Sequence, residues 1–235
     1  MKIIIDPGHG GKDTEGGSNS HWLEKDMNLK ISLYQYNIFK ELGVEVEITR
    51  NDDTYLSPDK RTSIVKESGA EICISNHINN FTNSSPKGDE IIHSIYSDGK
   101  LAQLIMEELV GEGVNQRKVF TKRHPKDPTK DYYYMNRETG NVETVIIEYG
   151  FASNPEDKKK ILNNWGKYAA AVVRGLLEYL DITYKSNLRS NSILDEMLDY
   201  KKSYENLLNQ NILLRESNNK LSKKINQIRN IARID

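Results

Sequence analysis

The sequence predicts an α/β domain with a largely parallel central sheet flanked by helices, followed by a C-terminal coiled-coil helix. Three observations predict it. Short apolar runs alternate with amphipathic stripes over the first 180 residues, with short loops between them, as in βαβ units. The last proline is Pro155 and the last glycine Gly175, so the final sixty residues contain neither helix breaker. Charge divides at the same place: residues 183–235 hold 10 Lys/Arg against 6 Asp/Glu, leaving 23 against 28 for the rest.

Lys2–Asp6 reads as a buried strand broken by Pro7-Gly8. Met27, Ile31, Tyr34, Ile38 and Leu42 fall on one face of a helix that Gly43 ends. Val44–Thr49 alternates with period two and reads as the next strand. Ser57-Pro58 is an N-cap followed by proline in the first helical position. Glu71–Asn76 and Asp89–Tyr96 are further strands, and Leu101, Leu104, Ile105 and Leu109 form another helical stripe. Tyr132–Met135 and Glu143–Ile147 read as strands. Asn154-Pro155-Glu156-Asp157 combines a capping side chain, proline and two acids at the positive end of a helix, and Tyr168–Leu180 is a final apolar helix.

The expected domains are therefore an α/β domain over 1–182, a polar linker over 183–192 and a helix over 193–235. With Met197 as a heptad a position, the d positions are Ile193, Tyr200, Leu207, Leu214, Leu221 and Ile228. That is a coiled-coil seam about 60 Å long, and it implies self-association through the C-terminal helix. Asn211 and Asn218, both at a, are the usual device for fixing register. The alternative is an amphipathic helix folded back onto the α/β domain, which Leu194 and Leu208 at e would suit.

Composition narrows function. The 235 residues carry a net charge of −1, which excludes nucleic-acid binding by bulk basicity. No apolar run approaches the ~18 residues of a membrane span, so no integral membrane segment is expected. A single cysteine, Cys73, excludes a disulfide scaffold and a multi-cysteine zinc site. The N-terminus lacks the long apolar core of a secretory signal. The expectation is synthesis in the cytoplasm, with any action outside the cell following release.

Four residues carry candidate chemistry. His9 sits in Asp6-Pro7-Gly8-His9-Gly10-Gly11, where flanking glycines leave the imidazole open at a strand's C-terminal end. The segment lacks the Gly-Lys-Ser/Thr of a phosphate loop. His77 closes the strand of Ile74-Ser75-Asn76-His77, and in a parallel sheet such ends share one edge, where ligands bind. Glu148 ends the apolar run Ile146-Ile147-Glu148, where desolvation or pairing must shift its pKa. Glu24 opens a helix, a position the dipole favours in any case. Two histidines and a carboxylate make the open zinc set of hydrolases, and a separate glutamate can serve as general base.

These motifs resemble the zinc-dependent N-acetylmuramoyl-L-alanine amidases of the amidase-3 family. The resemblance continues through Thr49-Arg50, Leu56 with Arg61, Ser75-x-His77-x-Asn79, Gly88 and Glu148-x-Gly150-Phe151-x-x-Asn154-Pro155, in family order across residues 1–182. It implies a peptidoglycan hydrolase that cuts the amide between the muramic lactyl group and L-alanine. It also implies Zn2+ as cofactor, His9, Glu24 and His77 as ligands, and Glu148 as the catalytic glutamate. Such enzymes act at the cell wall as autolysins, sporulation lysins and phage endolysins. Asn76, where the family usually has an aliphatic residue, and Glu143, where proline or a small residue is common, depart from the pattern.

Rival readings are weaker. No G-x-S-x-G motif is present. Cys73 and His77 lie ~13 Å apart along one strand, too far for a dyad, and Cys73 between isoleucines reads as an inert thiol. His21, His93 and His124 have no legible partner spacing, though His21 lies near Glu24. One tyrosine of Tyr132-Tyr133-Tyr134 is a candidate for lining a sugar groove. A different class of function is a catalytically inactive wall-binding or assembly protein on a coiled-coil stalk, against which the intact ligand and base positions argue.

Overall fold

The structure is a computed structural model that describes residues 1–14, 16–182, 217, 220–225 and 227. The chain divides into two compact units, Met1–Thr183 and Tyr184–Asp235. In the second unit the described residues are helical, and Leu221 and Ile225, both on the expected seam, are 57% and 42% exposed. The linker 183–192 and the rest of the heptad pattern lie outside the described residues.

The first unit runs β1 (Lys2–Pro7), α1 (Glu24–Glu41), β2 (Glu45–Ile48), α2 (Pro58–Glu67), β3 (Ile72–Asn79), β4 (Asp89–Ile92) and α3 (Lys100–Gly111). It continues with β5 (Gln116–Phe120), β6 (Arg123–His124), β7 (Asp127–Asp131), α4 (Tyr134–Arg137), β8 (Glu143–Phe151) and α5 (Pro155–Tyr179). Six strands form one sheet in the order β2-β1-β3-β8-β4-β5, and β6 pairs with β7 in a separate hairpin. All neighbouring pairs in the large sheet are parallel except β4 and β8, which are antiparallel.

Local chemistry explains the elements. Ser57 accepts from Lys60 N–H and Asn154 from Glu156 and Asp157 N–H, each ahead of a proline, so α2 and α5 start where the capping signals place them. Gly43, at φ 71°, ends α1 with the left-handed residue that helix termini favour. The apolar stripe read at Tyr168–Leu180 is the second half of the single 25-residue helix α5.

Side chains alternate across the sheet. Ile4, Cys73, Ile92 and Ile146 turn to one face and pack with Val65 of α2 and Met135 of α4. On the other face lie α1, α3 and α5, packed on one another and on the sheet. Each fully buried isoleucine contributes about 1.5–3 kcal/mol of transfer free energy.

Two expectations need correction. Tyr132–Met135 is not a strand: the strand there is β7, which ends at Asp131, and α4 follows from Tyr134. Backbone bonds from Asn136 and Arg137 to Tyr133 O, and from the Arg137 guanidinium to the carbonyls of Asp131 and Tyr132, wind the segment into a turn, overriding the strand propensity of its tyrosines. The strand expected over Asp89–Tyr96 stops at Ile92, because Asp131 captures Ser94 Oγ and Ile95 N–H. The strand β5 went unread because it is a polar edge strand, exposed over Gln116-Arg117-Lys118, with no apolar alternation.

Candidate metal centre

The loop after β1 carries His9 and is held by two buried arginines. Arg61 donates to Asp6 Oδ1 at 2.6 Å, Pro7 O at 2.7 Å and His9 O at 2.7 Å. Arg50 donates to Pro7 O at 3.1 Å and Gly8 O at 2.8 Å. Asp6 also accepts from Thr49 and Ser75 hydroxyls at 2.7 and 2.8 Å. Burial pushes the Asp6 carboxyl up, but Arg61 and these hydrogen bonds bring it below its ordinary value. The cage fixes three successive carbonyls and lets His9 adopt its positive φ of 60°.

His77 lies at the C-terminal end of β3, one strand away. Its ring meets that of His9 edge-on, with centroids 5.1 Å apart. This approach requires Gly8, where a Cβ would stand 2.2 Å from His77 Cε1. Glu24, the first residue of α1, completes the group: its Oε1 lies 3.3 Å from His9 Nε2 and 3.2 Å from His77 Nδ1. Ile78 N–H donates to the same oxygen at 2.9 Å and Asn28 Nδ2 at 3.2 Å, while Gly17 N–H donates to Oε2. Gly16 has no room for a side chain, since a Cβ would reach 2.0 Å from Glu24 Oε2.

The electrostatics follow from burial and contact. The Glu24 side chain is 1% exposed, and burial alone would raise its pKa; hydrogen bonding and charge from His77 and His9 pull it well below the carboxylate range. For His9 burial disfavours the cation, and Glu24 and Asp13 outweigh it, so its pKa is raised. Asp13 Oδ1 lies 3.0 Å from His9 Nδ1, an ion-pair contact whose alignment falls short of a hydrogen bond.

The donor set fits a zinc ion. Nitrogen and oxygen ligands about 2.0–2.1 Å from zinc in a tetrahedron stand about 3.3 Å from one another, which is the spacing of Glu24 Oε1 from both histidines. One potential ligand atom from each of the three residues lies within 4.8 Å of the others. The imidazoles are 20% and 19% exposed, so one side of the cluster opens to solvent.

Glu148 stands beside this cluster, paired in register with His77. Its Oε2 is buried without a hydrogen-bond partner. Burial, reinforced by the charges of Glu24 and Glu90, pushes its carboxyl well above the ordinary value. Of the three tyrosines read as candidates, Tyr133 is half-buried with its hydroxyl pKa raised by burial and by Glu148 and Glu90. Sequence reasoning passed over Glu90, which lies directly opposite Glu148 on β4. It also passed over Asp13 and Gly16-Gly17; the paired glycines seven and eight residues before Glu24 were the available signal.

The remaining candidates stay apart from the cluster. His21 is exposed, His93 Nδ1 faces Ser94 O at 3.0 Å, and His124 Nδ1 accepts from Lys126 N–H. Cys73 is buried and its thiol pKa is raised by that burial. Tyr132 is 42% exposed with Lys122 Nζ 3.8 Å from its ring centre.

A largely parallel sheet that ends in two facing histidines and a buried carboxylate defines a class of α/β proteins whose open edge could hold a metal ion. Within that class the profile of the Amidase_3 family, described as N-acetylmuramoyl-L-alanine amidase, matches residues 3–178, and the chain belongs to this family. Among curated relatives, the probable cell wall amidase LytH of Staphylococcus saprophyticus is 28% identical over 181 residues, covering 75% of this chain and 57% of LytH. The chain thus spans little more than half the length of that relative. The uncharacterized protein YqiI of Bacillus subtilis is 28% identical over 184 residues, covering 76% of this chain and 84% of YqiI.

Solved structures agree. The catalytic domain of CwlV, an N-acetylmuramoyl-L-alanine amidase from Bacillus (Paenibacillus) polymyxa var. colistinus, superposes with a TM-score of 0.68 at 27% identity, covering 78% of this chain and all of that domain. The N-acetylmuramoyl-L-alanine amidase of Clostridium difficile 630 gives 0.68 at 29% identity, covering 78% of this chain and 98% of that one. Among the described residues no helix is long and apolar enough to cross a membrane.

Proposed function

We propose that residues 1–182 are a zinc-dependent N-acetylmuramoyl-L-alanine amidase domain acting on peptidoglycan at the bacterial cell wall. The observation that carries the reading is the convergence of His9, Glu24 and His77 on one oxygen-centred cluster, with Glu148 in register beside it. His9, Glu24 and His77 would hold the ion. Zinc, when bound, supplies Lewis acidity toward the scissile carbonyl and lowers the pKa of a coordinated water.

The chain's own residues do the rest. Gly17, Ile78 and Asn28 fix the Glu24 carboxylate by hydrogen bonds before any ion arrives. Glu148 accepts the proton of the attacking water and returns it to the leaving L-alanine nitrogen. Water oxygen thereby joins the lactyl carbon, the C–N bond breaks, and a free amine departs. The buried, unpartnered Oε2 suits this task, because a carboxylate away from bulk water is a stronger base toward a nearby proton.

The test is product analysis. Full-length protein with zinc, incubated with purified cell walls, should release N-terminal L-alanine amines without new reducing ends, and Glu148→Gln should keep zinc while losing turnover. New reducing ends alone, or amines from other residues, would overturn the reading.

We further infer that residues 193–235 are a coiled-coil helix through which copies self-associate, joined to the catalytic domain by the 183–192 linker. The helical conformation at Leu221 and Ile225, which fall at d and a of that seam, supports it. Sedimentation of full-length protein should give a mass above 27.0 kDa, falling to monomer in Leu214→Lys.

A further inference from the structure

Beyond Glu148, the same edge of the sheet carries one more organised charged group. Because β4 runs antiparallel to β8, Glu90 lies directly opposite Glu148, which lies opposite His77. Residues paired across neighbouring strands share a face of the sheet, so His77, Glu148 and Glu90 form a row that steps about 4.8 Å per strand.

Glu90 is not left to itself. Asn79 Nδ2 donates to its Oε2 at 3.0 Å, and Arg117 Nε to its Oε1 at 2.7 Å. Arg117 occupies the register shift between β4 and β5, where Asp89 pairs with Gln116 but Glu90 pairs with Lys118. The unmatched residue of such a bulge is re-aimed out of the ladder. Gly88 clears the space beneath it, since a Cβ there would stand 3.2 Å from Arg117 Cβ. The guanidinium lies 5.2 Å from the centre of the Phe151 ring. Nε is thus anchored by Glu90 and the group backed by Phe151, while Nη1 and Nη2 donate to nothing among the described residues. The side chain is 35% exposed. A rigid fork with free paired donors matches a carboxylate in two-point contact.

The substrate's direction follows from the proposed chemistry, on which this inference rests. The amine leaves toward its proton donor, so the peptide half of the substrate lies on the Glu148 side of the row. The next groups on that side are Glu90 and Arg117. A second stem residue that is acidic and joined through its side chain keeps its α-carboxylate free. That carboxylate sits five bonds from the leaving nitrogen, about 6 Å when extended, which is between one and two strand spacings from Glu148. We propose that Arg117, anchored by Glu90, is the specificity determinant that reads this free carboxylate.

The test uses full-length, zinc-loaded protein and two soluble muramoyl peptides, identical except that the second residue bears an α-carboxylate or an α-carboxamide. The expected result is a kcat/KM at least tenfold higher for the carboxylate peptide. In Arg117→Gln that ratio should fall to about one, and in Arg117→Lys, which keeps charge without the fork, it should lie between. Calorimetry with the released dipeptides gives a readout independent of turnover: the carboxylate form should bind the parent protein more tightly than the carboxamide form, and equally in Arg117→Gln. Equal turnover of both peptides by the parent overturns the inference and leaves the amidase reading intact. So does an Arg117→Gln variant that slows both peptides by one factor, which would mark a structural role only. Cleavage of neither peptide by the zinc-loaded parent overturns the amidase reading, and the inference falls with it.

Discussion

Arg61 donates through Nη1 to Asp6 Oδ1 at 2.6 Å, and both side chains are almost wholly buried, at 3% and 0% exposure. The pair sits under the loop that aims His9, so it couples the stability of the sheet to the geometry of the candidate metal centre. Asp6 is the hub, because it also holds the Thr49 and Ser75 hydroxyls.

Removing the charge of Asp6 should therefore be costly. Asp6→Asn leaves Arg61 buried without its counter-charge, and breaking such a pair costs about 3–5 kcal/mol. The Asp6 carboxyl is held below its ordinary value near 3.8. Its stabilising contribution is complete above that value and is lost as pH falls through it toward the lower folded pKa. Urea unfolding should show a large gap between parent and Asp6→Asn at neutral pH that narrows below about pH 4. A gap that stays constant with pH would contradict the assignment.

Gly8→Ala tests the close approach of the two histidine strands. The new Cβ would meet His77 Cε1 at 2.2 Å, so the ring must swing away from His9 and Glu24. Zinc stoichiometry by metal analysis should fall from one to well below one, with the far-ultraviolet circular dichroism unchanged. A variant that still binds one zinc at the parent affinity would show that the ring has room to yield.

How much of this was legible in the sequence differs by element. The strand β1, the stripe of α1 and the caps of α2 and α5 were readable because periodicity and capping are local. The candidate site residues His9, His77 and Glu148 were readable as polar groups ending apolar strands, and the resemblance singled out Glu24 among acids at helix starts. Glu90 and Arg117 were not readable. Nothing local announces that β4 runs against β8, and an all-parallel sheet would have put the start of β4 at the opposite edge. Arg117 also lies on a polar edge strand with no periodic signature. The tyrosines at 132–134 misled because strand propensity is weaker than the turn bonds made by Tyr133 O and the Arg137 guanidinium.

On the proposed function, chelation should abolish amidase turnover without unfolding the domain. Glu24 is already satisfied by Gly17, Ile78 and Asn28, so the cluster does not depend on an ion to offset a buried charge. A ligand present at a hundredfold excess over its Kd stabilises by about 2.7 kcal/mol. For a domain of this size that corresponds to a Tm shift of roughly 5–10 °C. Calorimetric scans with excess zinc and with chelator should differ by that amount, and added zinc should restore both Tm and turnover. Loss of the cooperative transition in chelator would show instead that the ion is required for folding.

Asn76, which stands where an aliphatic residue is usual in the family, is explained by what lies behind it. On the sheet face opposite His77 and Glu148 its amide donates to Ser32 Oγ at 2.8 Å and Gln35 Oε1 at 2.7 Å, and accepts from Tyr149 OH at 2.8 Å. Gln35 Nε2 closes the ring by donating to Tyr149 OH at 3.0 Å. Asn76 and Tyr149 immediately neighbour His77 and Glu148 in the chain, so the ring ties β3 to β8 directly behind the site. Asn76→Leu regains apolar burial but takes the acceptor from the Tyr149 O–H and the donor from Gln35 Oε1 and Ser32 Oγ, at about 1–3 kcal/mol for each group left unsatisfied. The expected net loss in urea unfolding is about 2–4 kcal/mol. Adding Gln35→Leu and Tyr149→Phe to Asn76→Leu removes the groups stranded on Gln35 and Tyr149 together, so the triple variant should be more stable than Asn76→Leu alone. Simple additivity of the three losses would mean that the ring is three separate contacts and not one coupled unit.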